Sequence, residues 1–263
     1  MNGVDKSGSG RDVGHYMGVT MREVAELQLV GRANIGAHLL GPGGDIRTGA
    51  LLTMLDNVGG LNGGLAALPD GWVVSTNLAA RVVAPACTGP VRIESRVLRR
   101  GRNNVVTSMQ IFEEGTADAL VASGVLTSAI LVPENGPPQW SRPVVLDSLP
   151  EVLQSLPAIP DWLGVRPAGD HELEIDITAE TRNPWGILHG GVVASLVDLT
   201  AEHATAGGRT TDVVLHFLAP NRVGPVRAYA RVIGRRSDGT VLRIEVRDEG
   251  ADRTTALAIV TCR

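Results

Sequence analysis

The stretch that decides the fold runs Asn183-Pro184-Trp185-Gly186-Ile187-Leu188-His189-Gly190-Gly191, and an almost wholly apolar run follows it to Thr205. The composition of this run predicts a buried helix with Asp198 in its middle. A carboxylate in such a place is costly unless it is paired or used. The two glycines before the helix allow a tight turn and offer backbone N–H groups at the positive helix end. We therefore expect a pocket that binds an oxyanion beside a buried carboxylate.

A second copy of this region lies upstream. Thr48–Asp56 aligns with Gly190–Asp198 at an offset of 142 (198 − 56), and Ala84–Arg92 aligns with Ala219–Arg227 at an offset of 135 (220 − 85). Two motifs in the same order indicate a tandem duplication, in which each half is one copy of the same unit. The change in offset predicts that the helix-to-strand loop of the first copy is seven residues longer, around Leu68–Trp72.

The pattern of each copy predicts one helix and several antiparallel strands, which is typical of an α+β layer structure. Helical periodicity covers Thr48–Leu65 in the first copy. Strand-like runs lie at Val24–Leu40 (bent), Val73–Val83, Val91–Arg99, Val105–Phe112, Ala119–Leu131, Glu172–Ile177, Asp212–Leu218, Val226–Val232, Val241–Arg247 and Thr255–Cys262.

This pattern divides the chain into four segments. Residues 1–14 are polar and predict a flexible tail, and residues 15–132 form the first domain. Residues 133–161 hold seven of the 15 prolines and predict a linker, with a short helix near Asp147–Leu156. Residues 162–263 form the second domain.

Composition limits the classes of function. A net charge of −4 offers no electrostatic basis for binding nucleic acid. No apolar run reaches the roughly 20 residues that span a bilayer, and the first residues do not read as a signal peptide. Cys87 and Cys262 are isolated, which favours buried thiols over a disulfide, and none of the six histidines has metal-ligand spacing. We expect a cytoplasmic protein with no nucleic-acid or membrane partner, no metal and no cofactor.

The motif resembles a known family. An Asn, five residues, His-Gly-Gly, and an acid nine positions after the His is the pattern of the acyl-CoA thioesterases with the hotdog fold, in the branch of the phenylacetate-pathway and hydroxybenzoyl-CoA thioesterases. Asn183, His189 and Asp198 fit this spacing. The resemblance implies two tandem hotdog domains, each an antiparallel sheet wrapped around a central helix. The two would pair as an intramolecular pseudo-dimer that binds acyl-CoA, with further homo-oligomerisation left open.

The resemblance also implies a site shared between the copies. The N–H of Gly190 or Gly191 would polarise the thioester carbonyl, while an aspartate acts as base or as nucleophile. In hotdog pairs the glycine turn and the acid that face each other commonly come from different units. That assigns Asp56 to the turn of the second copy and Asp198 to the turn of the first, where Arg47-Thr48-Gly49 replaces His-Gly-Gly and Gly41 replaces the Asn. We expect one competent site per chain.

Other residues take supporting roles in this interpretation. Asn183 would position the water or the thioester, and His189 would orient the turn or the carbonyl. Ser75 and Thr210 occupy the strand positions of a supporting hydroxyl, Trp185 would wall the acyl pocket, and Arg100 and Arg235 could meet the phosphates of CoA.

Three readings compete with this one. Asp56 and Asp198 could simply be buried carboxylates that bond backbone amides, and His189 could only pack the turn. A non-catalytic acyl-CoA binding protein would use the same pocket without turnover. A hotdog enoyl-CoA hydratase ranks lower, because Thr181 stands where that motif has Asp, and His189 follows Pro184 by five residues instead of two.

Overall fold

The computed structural model describes residues 12–84, 89–115, 118–146 and 156–263. In these residues one antiparallel sheet of 13 strands curves around two long helices, which confirms the α+β class. The strands of the first half are β1 (Thr20–Ala25), β2 (Gln28–Ala33), β3 (Trp72–Val82), β4 (Val91–Arg100), β5 (Asn104–Glu113), β6 (Ala119–Leu131) and β7 (Val145–Leu146). Those of the second half are β8 (Arg166–Gly169), β9 (Glu172–Ile175), β10 (Thr210–Phe217), β11 (Val226–Arg236), β12 (Gly239–Asp248) and β13 (Arg253–Cys262).

The helices are α1 (Val13–Met17), α2 (Thr48–Ala67), α3 (Ile159–Trp162) and α4 (Gly190–Ala204). Short 3₁₀ turns lie at Ala37–Leu39 and Glu249–Ala251. Helix α2 packs on β2 to β6, and α4 packs on β9 to β13, so each half has its own central helix. This is the tandem arrangement that the repeat predicts.

Alternation along the strands explains why the sheet covers the helices. In β5 the buried side chains recur at every second position, with Val105, Met109 and Ile111 fully inaccessible. β12 repeats this pattern with Leu242 and Ile244. Because successive strand residues point to opposite faces, each strand gives one apolar face to its helix.

The two halves join edge to edge. The sheet order is β7-β1-β2-β4-β5-β6-β3-β10-β13-β12-β11-β9-β8, so β3 pairs with β10 at the centre. The pairing is antiparallel and runs from Asp212 opposite Arg81 to His216 opposite Asn77. One continuous sheet therefore places α2 and α4 side by side.

Small residues let the two central helices approach closely. A Cβ added at Gly49 would lie 2.9 Å from the Cα of Ser195, and one added at Gly191 would lie 2.8 Å from the Cα of Thr53. The Thr53 hydroxyl lies in this crossing, where it donates to either the Gly49 or the Gly191 carbonyl, both at 2.8 Å. These contacts repeat at the 142-residue offset (Gly49 and Gly191, Thr53 and Ser195), so the crossing has approximate twofold symmetry.

Several local predictions were wrong. The run Val24–Leu40 is not one bent strand: β1 ends at Ala25, β2 follows, and the apolar residues near Leu39 belong to a 3₁₀ turn. The longer connection of the first copy is mostly helix, because α2 continues to Ala67 whereas α4 ends at Ala204, the equivalent of residue 62 (204 − 142). Apolar residues within the extension, such as Leu65 and Ala67, are buried and stabilise the extra helical turn.

The ends and the linker also differ in detail from expectation. Val13 and Gly14 of the predicted tail begin α1, where the Asp12 side chain caps the helix by accepting from the N–H of His15. In the predicted linker, Val144 is buried and β7 adds a strand at the edge of β1. Residues 1–11 and most of the expected helix near Asp147–Leu156 lie outside the described residues. Within the described residues, no helix combines the length and apolarity needed to cross a membrane.

Candidate active site at the junction of the two halves

The glycine turn of the second half is a compact loop held by its own hydrogen bonds. The N–H of Asn183 donates to the carbonyl of Ile187, and the N–H of Gly186 donates to the carbonyl of Asn183, both at 2.8 Å. Gly186 has φ 70°, a left-handed conformation that favours glycine. The Asn183 side-chain oxygen accepts from the N–H of Trp185 at 2.9 Å. Asn183 therefore fastens the loop through its side-chain oxygen, and the residue also lines the adjoining cavity.

The turn ends where α4 begins. His189 is the N-cap, and its Nδ1 lies 3.0 Å from the N–H of Gly191. Among the hydrogen bonds of the described residues, none uses the N–H of Gly190, which lines the adjoining cavity. This N–H is one of the orphan donors at a helix start, and it points to Gly190 as the donor for an oxyanion.

The carboxylate at this turn comes from the other half. Asp56 on α2 is 5% exposed, and its Oδ2 lies 3.3 Å from the Nδ1 of His189. Its Oδ1 accepts a 2.7 Å hydrogen bond from the hydroxyl of Ser75 on β3. A Cβ at Gly190 would lie 2.8 Å from Asp56 Oδ2, so only glycine leaves room for the carboxylate.

One nitrogen of His189 faces two partners. In the structure Nδ1 accepts from the N–H of Gly191; a protonated Nδ1 would instead face the Asp56 carboxylate at 3.3 Å as a donor. The two bonds exclude each other, because a single ring nitrogen cannot be donor and acceptor at once. The tautomer of His189 therefore decides whether Nδ1 bonds the N–H of Gly191 or the carboxylate of Asp56.

A cavity of about 870 Å³ opens at this point, and both halves line it. Asp56, Ser75, Asn183, His189 and Gly190 share it with apolar residues of α1, β1 and β3. Three of the four tryptophans in the chain lie in its wall: Trp72, Trp140 and Trp185. The Nε1 of Trp185 donates to the carbonyl of Val73 at 2.9 Å and so ties the turn of one half to β3 of the other. The volume suits an organic ligand of substantial size.

The turn of the first half keeps the backbone of the second but not its side chains. The N–H of Gly41 donates to the carbonyl of Asp45 at 2.8 Å, and the N–H of Gly44 donates to Gly41 at 3.0 Å. These are the bonds of the second turn at the 142-residue offset, and Gly44 has φ 79°. The Asn and His of the motif are replaced there by Gly41 and Arg47. The turn of the first half therefore has the same backbone conformation but lacks the Asn and His side chains of the motif.

Asp198 is correspondingly bound in place. Its Oδ2 accepts from the N–H of Gly49 at 2.7 Å, and the hydroxyl of Thr210 also bonds it. Full burial raises the pKa of Asp198 despite these bonds. Arg47 pairs with Glu202, one turn along α4 from Asp198, and its side chain is only 10% exposed. The Arg47–Glu202 ion pair thus lies at the positions that correspond to His189 and Gly60, which line the open cavity of the other site.

Beside this second site lies a buried thiol. The Thr210 hydroxyl is 3.6 Å from the Sγ of Cys262, and burial raises the pKa of that thiol to about 11. Cys262 is therefore neutral at physiological pH, and its predicted role as a buried thiol is the one that the structure supports. Cys87 lies outside the described residues.

The predicted site residues thus fall into three groups. Asp56, Ser75, Asn183, Trp185, His189 and Gly190 meet at the cavity, with Gly191 in the adjoining helix crossing. Asp198 and Thr210 lie in the closed counterpart site. The structure does not bring Arg100 or Arg235 to the cavity wall: Arg100 donates to the carbonyl of Ala66 at the end of α2, and Arg235 is exposed near the end of β11.

Two residues of the cavity wall were not predicted from the sequence. Trp140 reaches the cavity from the Pro-rich segment, where it stacks on Trp72 at 6.3 Å between ring centroids. Gly60 lines the cavity one helical turn after Asp56. The repeat could have drawn attention to it, because at the 142-residue offset Gly60 corresponds to Glu202. Within the described part of the chain, no three His, Cys, Asp or Glu side chains cluster closely enough to hold a metal ion.

The sequence was compared with family models and with curated proteins. Residues 186–254 match the model of the thioesterase superfamily. This stretch includes the glycine turn from Gly186 onward, α4 and the strands β10 to β12. No match was found among curated proteins.

Solved structures match nearly the whole chain at low sequence identity. A candidate thioesterase II from Thermobifida fusca YX is 18% identical, with a TM-score of 0.63 over 95% of this chain and 98% of that one. The 12:0-ACP thioesterase from Umbellularia californica is 15% identical, with a TM-score of 0.62 over 90% and 94% of the two chains. A candidate oleoyl thioesterase from Lactobacillus plantarum is 12% identical, with a TM-score of 0.65 over 90% and 96%. At these identities the likeness establishes the fold alone. The chain has the tandem hotdog fold, and residues 186–254 of its second half are similar to the thioesterase superfamily.

Proposed function

We propose that this protein hydrolyses an acyl thioester, with acyl-CoA as the substrate, at one site per chain. The observation that carries the proposal is the contact between Asp56 of α2 and Gly190 at the start of α4. It puts a carboxylate and an unused helix N-terminal N–H on the same cavity from two different halves.

The chemistry follows from this placement. The thioester carbonyl oxygen binds the N–H of Gly190, where the donor and the helix dipole stabilise negative charge as it develops. Asp56 either takes a proton from the water that attacks the carbonyl carbon or attacks that carbon itself. The tetrahedral intermediate then expels the thiolate of CoA, which takes up a proton. In the general-base route this gives the free acid at once. After direct attack it leaves an anhydride between the acyl group and Asp56, which a water molecule must hydrolyse to release the acid. A thiolate is a good leaving group, so the reaction needs no metal or cofactor.

Supporting residues hold the two reacting groups in register. Ser75 fixes one oxygen of Asp56, and His189 lies between the carboxylate and the N–H of Gly191. Asn183 shapes the turn with its side-chain oxygen and offers its amide nitrogen to the substrate. The closed counterpart at Asp198, where Arg47 pairs with Glu202, supports a single competent site.

The test compares the two aspartates, which hold equivalent places in the repeat. Asp56→Asn should lower kcat for release of free CoA by about 10²- to 10⁴-fold, the usual contribution of a general base. Asp198→Asn, the matched control, should stay within about threefold of the native protein, well below that contribution. The opposite order would refute the cross-half assignment.

Two further measurements define the reaction. Single-turnover hydrolysis in ¹⁸O-water distinguishes the mechanisms, because label enters the Asp56 carboxylate only if that carboxylate attacks. The same acyl group presented on CoA and on acyl carrier protein identifies the carrier. Tight binding of acyl-CoA without release of a thiol would replace the proposal with a non-catalytic binding function.

The hydratase alternative gains no support from the site. Thr181, which stands where the hydratase motif has its Asp, is buried, and its hydroxyl donates to the carbonyl of Thr178 at 3.1 Å. That hydroxyl serves the local turn and lies outside the cavity wall.

A further inference from the structure

One face of α2 forms the floor of the cavity. Asp56, Asn57, Gly60 and Leu61 all line it, as expected for positions separated by about one helical turn. A Cβ built at Gly60 would have no heavy atom within 4 Å. At this position of the floor a glycine, a weak helix former, leaves free the space that a side chain would fill.

The duplicated helix shows what happens when that position carries a side chain. At the offset of 142, Gly60 corresponds to Glu202 and His189 corresponds to Arg47. In the first turn the side chains of Arg47 and Glu202 meet in an ion pair. The backbone hydrogen bonds of the two turns are the same, so the side chains at these paired positions distinguish the open site from the closed one.

Much of the wall of the cavity that Gly60 lines is apolar. Val13 of α1, Met21 of β1, Leu61 of α2, Leu146 of β7 and Trp140 of the linker line this cavity. Since Gly60 lies one turn from Asp56, this space adjoins the carbonyl that Asp56 would act on. A group that fills it extends beyond the thioester, and an apolar group there would be removed from water against these side chains.

We propose that Gly60 is a specificity-determining residue that admits an apolar acyl group of medium length or larger, and that the chain prefers such thioesters to acetyl thioesters. The inference rests on the proposed function, because it names the substrate class of that same site. Gly60 acts by leaving space and touches no reacting atom.

The kinetic test fills the space in steps. We expect Gly60→Leu to lower kcat/KM for octanoyl-CoA by about tenfold or more while kcat/KM for acetyl-CoA stays within about threefold, because the added side chain excludes only the longer acyl group. Gly60→Ala should give a smaller change in the same direction, and it serves if the Leu variant does not fold. Gly63→Ala is the matched control: it lies on the same helix away from the cavity, and its Cβ would make only ordinary contacts at 3.8 Å. Equal losses for both thioesters, or no loss for octanoyl-CoA, would overturn the inference.

A binding experiment separates this inference from the proposed function. The thioethers S-octyl-CoA and S-methyl-CoA cannot be hydrolysed, and calorimetry measures their Kd directly. We expect Gly60→Leu to raise the Kd for S-octyl-CoA by about tenfold and to leave the Kd for S-methyl-CoA unchanged. If the protein shows this binding result but cleaves no thioester, the inference about Gly60 stands and the proposed hydrolysis is rejected. Equal affinities of the native and Leu variants for S-octyl-CoA would reject the inference whatever the activity.

Discussion

Replacing Gly190 by Ala tests the contact on which the site depends. The new Cβ would lie 2.8 Å from Asp56 Oδ2 and 3.0 Å from Oδ1, whereas ordinary contacts begin near 3.4 Å. The carboxylate must therefore recede by about 0.6 Å, the difference between 3.4 Å and 2.8 Å. Alanine keeps the backbone N–H, so any loss of rate reports the displaced carboxylate and not a missing donor.

The size of the effect follows from the displacement. A misplacement of about 1 Å costs roughly a hundredfold in rate, so a shift of about half that should lower kcat/KM by about tenfold to a hundredfold. The clash is with the end of a side chain that can rotate, so the fold should be little affected and Tm should stay within about 2 °C.

The neighbouring glycine provides the contrast. A Cβ at Gly191 would lie 2.6 Å from the Cγ2 and 2.8 Å from the Cα of Thr53, so it would push the backbones of α2 and α4 apart. We expect Gly191→Ala to destabilise the fold by about 1–3 kcal/mol and to lower Tm by several degrees. Kinetics of CoA release and calorimetric melting of both variants check this. Native-like kcat/KM in Gly190→Ala, or a fall in Tm as large as that of Gly191→Ala, would refute the reasoning.

Two other predictions concern stability. The buried carboxylate of Asp248 accepts from the N–H groups of Arg222, Val223 and Gly224 at 2.7–3.0 Å, and although desolvation acts to raise its pKa, these bonds lower it overall. Asp248→Asn should lower the free energy of unfolding by about 2–4 kcal/mol above pH 5. The difference between the variant and the native protein should shrink as the pH falls through the lowered pKa of Asp248. Urea unfolding at several pH values measures it, and a difference that does not change with pH would contradict this prediction. Arg47→Met breaks the partly exposed pair with Glu202 and should cost about 1–2 kcal/mol in urea unfolding with unchanged thioester hydrolysis, whereas a tenfold loss of kcat/KM would show that the closed site contributes to catalysis.

Much of the fold could be predicted from local pattern. The limits of β6 match the apolar run Ala119–Leu131, and α2 begins at Thr48 as its periodicity indicates. Period-two and helical patterns report which face of an element is buried, and that information is local. Pattern failed at Val24–Leu40, because a two-residue turn between β1 and β2 leaves no Gly or Pro signal, and Leu27 adopts a left-handed conformation instead.

The site could be predicted in its parts but not as a whole. The glycine turn and both aspartates are visible in the sequence, and the repeat indicates which of them correspond. The cavity wall was less predictable, since Trp140 comes from a segment that reads as linker. For Arg100 the sequence suggested a phosphate contact; in the structure its guanidinium donates to the carbonyl of Ala66 at the end of α2, and the phosphate contact stays a prediction.

The sequence by itself determined that the chain is a duplicated α+β unit with a His-Gly-Gly turn at the start of one helix and an acid in the middle of each. Those features depend on residue type and spacing along a single segment. Only the tertiary structure decided that Asp56 lies against Gly190 and that Arg47 and Glu202 meet at the other turn. The physical reason is that both contacts join the two halves, and their distances depend on the pairing of β3 with β10 and the close crossing of α2 and α4.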